Sequence, residues 1–107
     1  MGSIPLNNFN EYDIFIAYVP FEDLPQEKIR PVLVLKEGVY LIDCLKMTSA
    51  KTRFGEYELK EWQKAGLDRQ TTVRITKLMK LDKTKFIKKI GHLTPIDIME
   101  IQRRLGL

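Results

Sequence analysis

The chain has 107 residues, 44% apolar and 30% charged, and 18 Lys plus Arg against 14 Asp plus Glu give a formal charge of +4. That length suits one small domain with a single core, and excludes two. The modest basic excess fits a partner carrying phosphates without requiring one.

The sole cysteine, Cys44, lies in an apolar run. It has no intrachain disulfide partner, which points to a reduced, cytoplasmic setting. With one histidine and one cysteine there is no thiolate metal-ligand pattern, and no cofactor signature is present. The start, MGSIPLNNFNEYD, lacks the basic and apolar regions of a secretion signal, and no apolar run is long enough to span a bilayer.

In chain order, residues 1–11 read as a loose lead-in. Asp13 to Val19, DIFIAYV, is apolar on both alternating faces, as in a strand buried on both sides or set against a partner subunit. An acidic, proline-broken loop runs from Pro20 to Arg30, and PVLVLK from Pro31 forms the second strand. Pro31 has no N–H and biases Arg30 towards extended backbone, which predicts a rigidly placed guanidinium at the strand mouth. Glu37-Gly38 predicts a tight hairpin, with glycine supplying positive φ, into the strand Val39 to Leu45.

Lys46 to Phe54, KMTSAKTRF, replaces the apolar pattern with hydroxyls and cations and reads as a loop. Glu56 to Ala65 predicts a short helix, because Leu59, Trp62 and Ala65 fall on one face and Gly66 can close it. Thr71 to Leu81 is a β-branched strand containing Arg74, and Phe86 to Leu93 is the last strand. Thr94 as N-cap and Pro95 at the first helical position open a C-terminal helix, closed by Arg103, Arg104 and Gly106. The fold class predicted is α+β: a small, strongly bent antiparallel β-barrel with a short inserted helix and a C-terminal helix.

The order DIFIAYVPFED, RPVLVL, MTS, EYELKEWQKAGL and TTVRITKLMKLDK resembles the MazF/PemK family of endoribonuclease toxins, over Asp13 to Leu105. Tyr12 stands where that family commonly has glycine. The first loop lacks the family's Gly-Ser-rich middle, and Thr76 occupies a position that is acidic in one branch. The resemblance implies one SH3-like toxin domain over residues 1–107 that forms a homodimer and is neutralised by a cognate acidic antitoxin peptide. The implied activity is metal-independent cleavage of single-stranded RNA by 2′-OH attack.

The site residues implied are Arg30 and Thr48, which would grip the phosphodiester; none of the loop carboxylates Glu22, Asp23 and Glu27 aligns with a family base, and Glu27 ranks first among them as base. Ser49, Arg74, Lys46, Arg53 and Thr76 complete the substrate-binding set. Taken alone, an arginine before a proline is most often a surface cation, and Thr48-Ser49 a simple turn. His92 reads as structural or solvent-facing, and Trp62 as packing before stacking. A non-cleaving relative that binds gyrase, RNA or an antitoxin is the alternative.

Overall fold

The computed structural model describes residues 8–21, 23–50 and 54–107. Its elements are β1 (Asp13–Pro20), β2 (Glu27–Glu37), β3 (Leu41–Thr48), β4 (Tyr57–Glu58), β5 (Thr72–Asp82), a 3-10 turn (Lys83–Lys85), β6 (Phe86–His92) and α1 (Pro95–Leu105). The strands form one 6-stranded sheet in the order β4-β5-β3-β2-β1-β6, antiparallel throughout. Register shifts interrupt the β1–β6, β2–β3 and β3–β5 ladders. Such shifts bend strands and increase twist, giving a barrel-like sheet that does not close.

The two-faced apolar pattern of β1 has a direct structural counterpart. Ile14 packs with Leu33, Leu45 and Ile101 in one cluster, while Phe15, Ala17 and Val19 pack with Val32, Val34 and Cys44 in a second. Period-2 alternation assigns these sets to opposite faces. The first face opens to solvent towards the end of β1, where Ile16 is half-buried and Tyr18 is exposed.

Four local expectations change. The helix expected over 56–65 is instead the short strand β4 followed by turns, with one helical hydrogen bond from Ala65 N to Glu61 O. The cause is tertiary: Lys60 N and Glu61 N donate to the Asp97 carboxylate, and Leu59 N donates to Thr71 O. β2 starts at Glu27, so Arg30 lies inside the strand, not at its mouth. Gly38 is not among the positive-φ glycines. It is required because a Cβ there would sit 2.7 Å from the Leu41 carbonyl oxygen. Thr94 occupies the N-cap position, but its hydroxyl donates to Glu61 and makes no cap bond.

The C-terminus of α1 follows its prediction, with Gly106 at φ 78 and the Gly106 and Leu107 amides bonded to the Arg103 and Gln102 carbonyls. Asp97, fully buried in the first turn, accepts from the Tyr57 hydroxyl as well as from the two amides. Burial and this hydrogen bond push the Tyr57 hydroxyl above its usual range. Asp97→Ala would leave these donors unpaired, at a cost of about 3 kcal/mol. A urea titration should show a lower midpoint with an unchanged slope, and an unmoved midpoint would refute the role given to Asp97.

Candidate functional site

Arg30 and Thr48 come together because of sheet register. Val32 pairs with Lys46, and carrying that antiparallel register two residues further sets Arg30 opposite Thr48. Thr48 in turn pairs with Thr72 on β5, and Arg30 with Ala17 on β1. Opposed residues on neighbouring strands have Cβ atoms about 5 Å apart, within reach of one phosphate group. Pro31 suits this position by holding Arg30 in extended backbone.

Two cavities share Arg30 and Thr48. The smaller, about 160 Å³, is also lined by Lys28, Lys46 and Arg74, with Phe21 and Val19. Alternation puts Lys28 beside Arg30 on β2 and Lys46 beside Thr48 on β3, so the cations gather on one face. Arg74 is the most restrained of them. Its Nε lies 2.7 Å from Glu56, and the two side chains are only 17% and 6% exposed.

The larger cavity, about 430 Å³, is lined by Ile16, Ile29, Pro31 and Ile90, and by Ser49, Leu67, Asp68, Arg69 and Thr71. Ile16, Ile29 and Pro31 belong to the other face of β1 and β2. The cavities meet where β3 ends at Thr48 and leaves β2 with an open edge. The Thr48 Oγ accepts from Ala50 N at 3.0 Å, which leaves its hydroxyl hydrogen available to donate.

The remaining sequence-predicted residues divide. Ser49 lines the larger cavity, and Lys46 and Arg74 the smaller. Glu27 is not brought to Arg30. Three residues away on the same strand it faces the opposite side, and it pairs with Lys85 at 2.7 Å. Thr76 is exposed on β5 and borders neither cavity. Arg53 and Glu22 lie outside the described residues. Asp23 is exposed in the first turn.

Sequence reasoning missed Lys28 and the Leu67-Asp68-Arg69 segment. The signal for Lys28 was its even spacing from Arg30. Asp68 and Arg69 carried none, because only the fold brings them to the site.

His92 is structural in its contacts. Its Nδ1 lies 2.8 Å from the Asp13 carboxylate, which is 1% exposed and also receives Lys89 at 3.2 Å and Asn10 N at 2.9 Å. Burial raises the Asp13 carboxyl, but His92, Asn10 and Lys89 together outweigh it and hold the group below its ordinary value. Among the described residues, no group of three or more His, Cys, Asp or Glu side chains comes together that could hold a metal ion.

The bent antiparallel sheet thus carries a guanidinium and a hydroxyl on neighbouring strands, with two lysines beside them. The sequence from residue 10 to 107 matches the family described as PemK-like, MazF-like toxin of type II toxin–antitoxin system. The chain belongs to that family.

Solved structures agree in fold. One is an endoribonuclease in complex with its cognate antitoxin from a mycobacterial species, with TM-score 0.72, 12% identity, and 90% of this chain and 89% of that chain covered. The Mycobacterium tuberculosis toxin MazF-mt6 gives TM-score 0.68 at 20% identity, covering 88% and 92%. A further mycobacterial endoribonuclease gives 0.70 at 14%, covering 94% and 91%. No match is found among curated proteins. At these identities the likeness establishes the fold.

A folded carboxyl held below 3.8 stabilises the protein above that pH, and the contribution is lost as pH falls through the lowered value. Asp13→Asn should therefore lower stability at pH 7 by about 1–3 kcal/mol. The gap to the wild type should close progressively below pH 3.8. Urea titrations across pH would show this, and a pH-independent gap would contradict it.

Proposed function

We propose that this chain is an endoribonuclease toxin that cleaves single-stranded RNA without a metal ion, acts as a homodimer and is neutralised by an acidic antitoxin peptide. The observation that carries the reading is that Arg30 on β2 and Thr48 on β3 line one cavity together with Lys28, Lys46 and Arg74. In the reaction the 2′-oxygen loses its proton and bonds to phosphorus. The 5′-oxygen leaves and takes up a proton, giving a 2′,3′-cyclic phosphate and a 5′-hydroxyl. Arg30 clamps two non-bridging oxygens, and Thr48 donates to the same group, where negative charge grows in the transition state. Arginine stays protonated at neutral pH, so its role is electrostatic and not proton transfer.

Family membership supports the toxin class, and the endoribonuclease neighbours support the activity. The antitoxin fits an acidic, extended segment that lays carboxylates among these cations and apolar groups into the larger cavity. Apolar side chains left in solvent on β1 and α1, Tyr18 at 42%, Ile96 at 51% and Met99 at 68%, support a second copy as partner. A single monomer mass by analytical ultracentrifugation at micromolar concentration would count against the dimer.

Arg30→Ala should keep the circular-dichroism spectrum of the wild type and lose cleavage of single-stranded RNA in EDTA by about a hundredfold or more. Thr48→Ala should lose about tenfold to a hundredfold. Wild-type activity that vanishes on adding EDTA would sink the metal-independent route. Undiminished cleavage by the Arg30 variant would sink the site.

A further inference from the structure

The two cavities differ in chemistry, and their difference has a use. The smaller collects cations around Arg30. The larger, on the other side of the end of β3, has apolar walls from Ile16, Ile29 and Ile90, and has Asp68 and Arg69 at its polar side. At about 430 Å³ it falls within the range of pockets that seat small organic ligands. An RNA strand turning round the end of β3 would leave its phosphate with the cations and carry the attached base into this second space.

We infer that the larger cavity is a nucleobase subsite, and that Asp68 selects guanine beside the cleaved bond by accepting hydrogen bonds from its ring N–H and its exocyclic amino group. This rests on the endoribonuclease reading above. The apolar walls suit a flat, unstacked base, which single-stranded RNA presents. A carboxylate only accepts, and every base can offer it one donor, uracil through its ring N–H, so a single hydrogen bond does not discriminate among them. Guanine matches it best, because its ring N–H and amino group lie side by side and can meet both carboxylate oxygens.

Asp68 is free to do this. Its side chain is 84% exposed, and its contact at 3.3 Å with the neighbouring Arg69, itself 68% exposed, is weak enough to yield to substrate. The position is held from below. Gly66, at φ +100, abuts the Ile90 carbonyl, and Gly91 abuts that of Ala65, so the segment bearing Leu67 and Asp68 is pressed onto β6 with no room for a side chain between.

The test has two arms. In the first, a random single-stranded RNA pool is digested and fragment ends are mapped for the wild type and for Asp68→Asn. The wild type should favour guanine over the other bases at one position flanking the cut by roughly tenfold or more, and the variant should bring that ratio close to unity. In the second, uncleavable 2′-O-methyl heptamers differing only at that position, or at each position in turn if no cut is found, are titrated by fluorescence anisotropy. The same ratio should appear in binding, and should again collapse in Asp68→Asn.

A preference for any base other than guanine, a preference unchanged in the variant, or a uniform loss at all sequences would overturn the assignment. Failure of the wild type to cleave any RNA would refute the nuclease reading instead, and the binding arm would still decide the base subsite.

Discussion

One buried carboxylate sets where the irregular half of this protein lies. Asp97 projects from the first turn of α1 and takes the Tyr57 hydroxyl and the amides of Lys60 and Glu61. A buried acceptor of this kind satisfies donors that would otherwise be stranded, and in doing so fixes the helix to the chain after β4. That chain cannot also wind into a helix, because its amides are already committed. It crosses instead towards β6, where the Ala65 carbonyl accepts from His92 N at 3.0 Å. The tight pairing of Gly66 with Gly91 then delivers Leu67, Asp68 and Arg69 to the larger cavity. The wall of that cavity therefore depends on an interaction that touches no substrate.

The regular half gathers the cations. Pairing of β2 with β1 and β3 fixes which residues share a face, and a one-residue slip would send Arg30 to the face now occupied by Ile29. Both faces of β1 are packed over its first half, so such a slip would bury the wrong set. Apolar packing of Ile14 and Phe15 thus holds the charged row further along the strand in register.

The strands were legible because alternation and β-branching carry their own signal, and the C-terminal helix because Pro95 and Gly106 punctuate it. The segment 56–65 was misread for a physical reason. Its helical spacing of Leu59, Trp62 and Ala65 is real, and Leu59 and Ala65 are buried with Trp62 packed against them. Distant partners took the backbone hydrogen bonds, however, and local periodicity has no access to them. Family order singled out Arg30 and Thr48, and the fold brings both to the same two cavities. Asp68 was not legible, since nothing in LDRQ announces that a glycine contact will carry it to the site.

Tyr12 was noted only as a departure from the family's usual glycine. Its φ of 68 shows the conformation that glycine accepts without strain. Here burial of the tyrosine ring, 6% exposed, offsets that strain.

Cys44 sits in the second apolar cluster with no exposed surface, and burial, aided by the charge of Asp43, pushes its thiol up to about 12. Thiolate, the reactive form, is then almost absent at neutral pH. Such a buried, protonated thiol should not react with maleimides or mild oxidants, and a cysteine introduced on the surface would then be the single attachment point for a fluorophore or spin label. The wild-type sequence is, in that sense, already a background for distance measurements on the toxin in action.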